Sequence, residues 1–359
     1  MSDPISIFDS QALDELRREQ RFDPQHLRAL RNQLFKQFCP DAVALAGFPG
    51  RDRVSCHALE LHRRFDSTVD GATKLLFRTA SGMLIEAVAL RIATGRTTLC
   101  VSSQVGCAAA CEFCATGKMG IARNLATPEI LDQVLQVGQL LAAEQGRLDN
   151  IVFMGMGEPF HNEANLMSTL AALTARDQFN RSPASILVST VGVPDAMLRL
   201  AEGFPKVNLA LSLHSADQLI REKIMPLARR YPLTELRRVL GECQRIQRRE
   251  VMIEYLMLDS LNDSTEDAVA LLAWLGDLRV HVNLIPYNPI DDAPDLNASP
   301  PEKIAEFAAR LKSAGVKTTV RYSLGRDIDA ACGQLVRMEN RNHYHSRISR
   351  FGTLTGDLS

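Results

Sequence analysis

From about residue 96 onward, short apolar runs alternate with longer stretches whose apolar residues recur at helical spacing. The runs predict strands over Thr98–Ser103, Asn150–Gly155, Ser185–Thr190, Val207–His214, Glu250–Leu258, Val280–Tyr287 and Lys317–Tyr322. Between them the periodicity predicts helices, among them Thr127–Glu144, Asn162–Arg176, Leu233–Arg248, Thr265–Leu275 and Pro301–Ser313. Apolar strands alternating with amphipathic helices specify an α/β fold around a parallel sheet, open or closed toward a barrel. The first ninety or so residues differ in texture. Asp23-Pro24 opens a helical pattern (Leu27, Leu30, Leu34, Phe35, Phe38), with a capping aspartate and a first-turn proline. Two strand-like runs, Thr73–Thr79 and Met83–Ile92, flank Ala80-Ser81-Gly82 and predict a hairpin. The expected organisation is a small N-terminal accessory domain over 1–92, a catalytic domain over 93–336 and a polar, basic tail over 337–359.

Composition adds boundaries. At 359 residues, 46% hydrophobic and 23% charged, the chain matches an ordinary globular protein. No stretch approaches the ~18 uninterrupted apolar residues of a membrane span. The opening MSDPISIFDS lacks the basic start and apolar run of a secretory signal. Cytoplasmic location, with no membrane partner, is the expectation. Net charge is −1, which neither selects nor excludes nucleic acid, because a local patch can be basic on a neutral protein. Basic residues do gather early, at Arg17, Arg18, Arg21, Arg28, Arg31 and Lys36, then at Arg51, Arg53, Arg63 and Arg64. Solvated helix faces explain such clusters as readily as a binding surface does.

Parallel sheets and barrels form sites at the carboxyl ends of their strands. The unusual residues fall there: Gly155-Met156-Gly157-Glu158 after one predicted strand, Ser189-Thr190 ending the next, Ser212 and His214 ending another, and Asn288-Pro289 following the sixth.

Eight cysteines in such a chain do not read as a disulfide framework. Cys39, Cys56 and Cys243 are expected to be buried small hydrophobes. Cys107-Ala-Ala-Ala-Cys111-Glu-Phe-Cys114 is the strongest signal in the chain. Three thiolates at this spacing can fold around one [4Fe–4S] cubane and leave its fourth iron open to a small ligand. Structural zinc needs four ligands, and no fourth Cys or His lies within finger spacing. A dithiol role for Cys111-x-x-Cys114 leaves Cys107 without a purpose. Read alone, Cys100 and Cys332 are as consistent with core burial as with function.

The CxxxCxxC loop, with Phe113 before its last cysteine, resembles the radical S-adenosylmethionine (SAM) superfamily. Three longer strings resemble its RlmN/Cfr branch of rRNA adenine methyltransferases: Cys100-Val-Ser-Ser-Gln-Val-Gly-Cys107, Met154-Gly-Met-Gly-Glu-Pro159 and Ala331-Cys332-Gly-Gln-Leu335. The likeness runs from about residue 73 to 336. It implies a partial (β/α) barrel of the radical SAM type, a [4Fe–4S] cluster on Cys107, Cys111 and Cys114, and SAM as second cofactor. It implies SAM contacts from Gly157, Glu158, Ser189, Ser212, Leu213, His214 and Asn288. It further implies that Cys332 becomes methylated, that a SAM-derived radical activates that methyl group for addition to adenine, and that Cys100 resolves the adduct through a transient disulfide with Cys332. Glu86 matches the position of the proton acceptor. The implied partners are 23S rRNA, tRNA as a further substrate, and an electron donor such as flavodoxin or ferredoxin. Ala115-Thr116-Gly117 looks closer to the branch that methylates C8, whereas C2 is the commoner activity; C2 is preferred and both stay open. Two rival readings remain: a radical SAM enzyme with a non-RNA substrate, and a non-catalytic, metal-dependent RNA-binding module.

Overall fold

The computed structural model describes residues 4–120, 122–321, 323–331 and 333. The N-terminal part contains β1 (Ile5–Ser6), α1 (Ser10–Gln20), α2 (Pro24–Arg31), α3 (Asp41–Leu45), β2 (Val54–Ser55), β3 (Leu59–Asp66), β4 (Ala72–Thr79) and β5 (Leu84–Arg91). There follow β6 (Thr97–Cys100), β7 (Gln104–Gly106), β8 (Ala122–Asn124), α4 (Thr127–Ala143), β9 (Asn150–Phe153), α5 (Glu163–Thr174), β10 (Ile186–Thr190) and α6 (Pro194–Gly203). The remainder comprises β11 (Asn208–Ser212), α7 (Gln218–Ile224), α8 (Leu233–Gln247), β12 (Val251–Met257), α9 (Thr265–Leu275), β13 (Val280–Pro286), α10 (Pro301–Ser313) and β14 (Lys317–Val320).

One ten-stranded sheet organises the molecule, in the order β14-β13-β12-β11-β10-β9-β6-β5-β4-β3. From β6 through β14 its neighbours pair in parallel, whereas β5, β4 and β3 add on antiparallel. The seven expected strands are all present, most of them shortened at their carboxyl ends, where the chain leaves the ladder to build a site. The α/β architecture is that of an open, partial barrel. The expected hairpin is the second half of a three-stranded meander. Its outer strand, β3, was not foreseen because Glu60, Leu61, His62, Arg63 and Arg64 are all exposed and give no apolar alternation. Charged side chains on an edge strand also discourage pairing with another chain.

Local signals behave as their chemistry requires. The Asp23 side chain accepts from Gln25 N at 2.7 Å and caps α2, whose first residue is Pro24. Ser264 and Asp267 form a reciprocal capping box at the start of α9. Strands β12 and β13 are buried on both faces, as continuous apolar runs in a parallel sheet should be. Cys56 and Cys243 are buried as expected, but Cys39 is only half-buried, because it lies in the turn between α2 and α3. No described helix is long and apolar enough to cross a membrane.

The N-terminal helices share one hydrophobic core with the sheet and its helices. Phe35 stacks on Phe179 with ring centroids 4.7 Å apart. A Cβ at Gly138 would meet the ring of Phe38 at 2.2 Å, so α4 must carry glycine where that ring lies against it. A polar rivet sits beside these contacts. His57 Nε2 lies 2.7 Å from Asp41 and its Nδ1 2.9 Å from Asp132. Asp132, wholly buried on α4, also accepts from the backbone N–H groups of Ala58 and Leu59.

Burial alone would depress the His57 pKa, but hydrogen bonds and charge from Asp132 and Asp41 push it up to about 10. A raised folded-state pKa gives stability that is complete below the ordinary value of 6.5 and is lost as pH rises through about 10. His57→Ala should therefore cost about 2 kcal/mol near neutral pH, because it strands buried acceptors, and should remove this pH dependence. Denaturant unfolding below pH 6.5 and above pH 10 checks it. Equal losses at both would contradict the assignment.

Candidate functional site

The carboxyl ends of the parallel strands surround a cavity of about 140 Å³. Gly157, Glu158, Ser189, Ser212 and His214 line it, together with Cys114 of the cysteine loop. Five of the seven expected cofactor residues thus share one space. Leu213 is fully buried and does not line it. Asn288 stands aside and donates from Nδ2 to Ser323 Oγ at 2.9 Å.

Glu158 ties the strand ends together. Its Oε1 accepts from Phe160 N at 3.0 Å and Thr190 Oγ1 at 2.9 Å, and its Oε2 accepts from Val191 N at 2.8 Å. Its own N–H donates to Gln104 Oε1 at 2.9 Å, just before the cysteine loop. Burial pushes its pKa up to about 7 against the pull of these donors. A carboxylate has about four acceptor sites, so at most one remains for a ligand. Gly157 adopts φ 104°, and a Cβ there would stand 2.6 Å from the Gln104 side chain, so only glycine permits this turn.

His214, at φ 61° just past β11, accepts at Nδ1 from Leu256 N at 3.0 Å. Burial, then the charge of Arg221, depresses its pKa to about 3. The ring is therefore neutral with its hydrogen on Nε2, ready to donate. Phe113 meets it edge-on at 4.9 Å. Ser189 and Ser212 stand with their hydroxyls 3.4 Å apart.

The three loop cysteines converge beside α7. Burial is the main influence raising each thiol's pKa, that of Cys107 to about 12, and neighbouring thiols add to the effect on Cys107 and Cys111. The loop turns through Gly106 at φ 73° and Ala110 at φ 51°. Gly117 packs so closely that a Cβ would stand 2.9 Å from Cys111 N. Among the described residues no three His, Cys, Asp or Glu side chains close around one bare ion. Three converging thiols are the donor set a cubane takes when one of its irons is left open. A second observation concerns charge. The guanidinium of Arg221 is fully buried near Cys111, and its Nη1 finds no partner among the described residues. An anionic iron–sulfur cluster on three thiolates fits both.

Cys100, also buried, lines a second cavity of about 360 Å³ together with Ala330 and Ala331. Met154, Glu254 and Arg321 line both cavities. Cys332 lies outside the described residues, as does the tail over 337–359. Its neighbours are described: Ala331 lines the second cavity and Gly333 the first. Gly333 O accepts from Ala115 N at 2.7 Å, and the preceding segment is tied to the turn between β3 and β4, with Gly325 N donating to Asp70 at 2.8 Å. Glu86, 2% exposed on β5, lies 3.4 Å from Lys74 Nζ. Alternation along β5 puts it on the same face as Val88, which pairs with Cys100 across the ladder.

Three charged residues escaped the sequence reading: Arg221, Glu254 and Arg321. Glu254, inside the apolar run Met252-Ile253-Glu254-Tyr255-Leu256, was detectable as a charge where both faces of a strand are buried. Its Oε2 accepts from Asn283 Nδ2 at 2.9 Å.

The Radical SAM superfamily model matches residues 101–273. A protein of Rhodopirellula baltica named a probable RNA methyltransferase is 62% identical over 337 residues, covering 94% of this chain and 89% of that protein. A probable dual-specificity RNA methyltransferase RlmN 2 of Protochlamydia amoebophila is 41% identical, covering 80% of this chain and 81% of its own length. The crystal structure of a radical SAM methyltransferase from Sphaerobacter thermophilus superposes with a TM-score of 0.87 at 37% identity, over 92% of this chain and 99% of that one.

Glu158→Gln replaces one acceptor oxygen by a donor amide, which then faces either Val191 N or the pair Phe160 N and Thr190 Oγ1. It should cost about 1–3 kcal/mol of stability by leaving buried donors unsatisfied and should weaken SAM binding. Thermal unfolding and equilibrium dialysis with SAM check this; unchanged values in both would refute the role given to the carboxylate.

Proposed function

The chain belongs to the RlmN family of radical SAM RNA methyltransferases, and on that premise we propose that it methylates a ring carbon of adenine in 23S rRNA, C2 in preference to C8, with tRNA as a further substrate. The family's [4Fe–4S] cluster and SAM supply one-electron chemistry, which an aromatic carbon without a lone pair requires.

The chain's own groups divide the labour. Cys107, Cys111 and Cys114 hold the cluster. Gly157, whose missing side chain lets the backbone come close, and Glu158 face the amino group of SAM. Ser189, Ser212 and the Nε2–H of His214 serve its ribose, adenine and carboxylate, with Leu213 backing the site and Asn288 at its margin. Cys332 carries the methyl group to the base, Glu86 accepts the proton the ring carbon must lose, and Cys100 displaces the product by attacking Cys332. Residues 1–92 face the RNA, with exposed Arg18, Arg21, Arg28 and Arg63 available to phosphates. Arg64 contributes less, since it is already paired with Asp66 and Glu144. A low-potential carrier such as flavodoxin or ferredoxin delivers the electron in the cytoplasm.

The observation that carries this reading is the pair of adjoining cavities. The residue before Cys332 faces the cavity of Cys100, and the residue after it faces the cavity of Cys114. In sequence, Cys332 is thus flanked by one residue of each cavity.

Mass spectrometry of 23S rRNA from cells with and without the gene should show one methyladenine lost on deletion, and its fragmentation distinguishes C2 from C8. In purified protein, Cys100→Ala should accumulate RNA covalently bound through Cys332. Unmodified rRNA in both strains, or release of methylated RNA by the variant at the normal rate, would refute the proposal.

A further inference from the structure

Arg221 is the largest fully buried side chain in the described molecule. From α7 its Nε donates to Leu213 O at 3.1 Å and its Nη2 to Val191 O at 2.6 Å. These carbonyls follow the ends of β11 and β10, so the guanidinium is held rigidly from two sides. Its Nη1 is buried with no partner among the described residues, and no described carboxylate forms an ion pair with it. Buried charges are normally paired, because an isolated one carries a large desolvation cost. The helix that carries Arg221 packs against the cysteine loop, since Ile224 of α7 and Cys111 share one buried apolar cluster. The two are also linked through the backbone: Glu112 N, next to Cys111, donates at 2.9 Å to the carbonyl of Ile224, the last residue of α7.

We propose that Arg221 is the built-in countercharge of the iron–sulfur cluster and raises its reduction potential. The proposal rests on reading Cys107, Cys111 and Cys114 as cluster ligands, and it adds a residue and a role to that reading. Reduction delivers one electron from a low-potential donor to the cluster and moves no proton, so the thiolate–cubane assembly gains one negative charge. A fixed cation close by stabilises the reduced state more than the oxidised one, and a dry surrounding strengthens the effect. Net charge and hydrogen bonds around a cluster are among the terms that set its potential. Arginine suits the position, because a delocalised guanidinium stays charged through the physiological range even when buried.

The test is a dithionite titration of the reconstituted, full-length protein without SAM, followed by electron paramagnetic resonance of the reduced cluster. Arg221→Gln, matched to wild type in iron content, should have a more negative midpoint, and Arg221→Lys a midpoint between the two. A parallel measurement needs no variant: wild-type protein labelled with ¹⁵N-arginine should show a nitrogen hyperfine coupling to the reduced cluster. An unchanged midpoint in the glutamine variant, or no coupling in the labelled protein, would overturn the proposal, as would a variant altered only in its affinity for SAM. Absence of any cubane would overturn it together with the reading beneath it, and the iron analysis that precedes the titration tells these failures apart.

Discussion

The carboxylate of Glu158 is the fixed point of the site. It closes the turn after β9 through Phe160 N, holds the end of β10 through Thr190 and Val191, and its backbone grips Gln104 ahead of the cysteine loop. Three separate chain segments are thereby tied to one residue. Residues at the ends of β10 and β11, Ser189, Thr190 and Ser212, line the cavity together with it. A parallel sheet supplies the convergence, and one buried carboxylate sets its geometry.

Around that point the chemistry is sorted by burial. His214 is kept neutral and directional, and burial raises the pKa of each loop thiol. Arg221 keeps its charge because two carbonyls hold it and guanidinium is hard to deprotonate. The same dryness that makes these groups costly makes their interactions strong. The second cavity, bounded by Cys100 and by the segment leading to Cys332, opens beyond Met154, Glu254 and Arg321. That arrangement brings β5 to the second cavity, since Val88 and Leu90 line it and β5 pairs with β6.

What the sequence revealed follows from which signals are local. Strands such as Val280–Pro286 and helices such as Thr265–Leu275 announce themselves by composition and caps, and the cysteine loop by spacing alone. Gly157, Glu158, Ser189, Ser212 and His214 were legible because they sit at strand ends, where a parallel fold gathers its polar residues. Strand β3 was invisible because its stability comes from pairing with β4 rather than from its own apolar pattern. Arg221 was missed for a different reason. An arginine in a polar stretch such as Gln218–Ile224 reads as a surface charge, and only the packing of α7 beneath the cysteine loop reveals its burial. The role of Asp132 as a partner of His57 is likewise a long-range fact, spanning 75 residues.

Mössbauer spectroscopy of ⁵⁷Fe-reconstituted, anoxic protein addresses the central claim most directly, because it resolves the individual irons. Three thiolates on a cubane leave one iron with a different ligand set, so one site should be distinct and should shift when SAM is added while the other three stay as they were. Four equivalent irons, indifferent to SAM, would contradict the account.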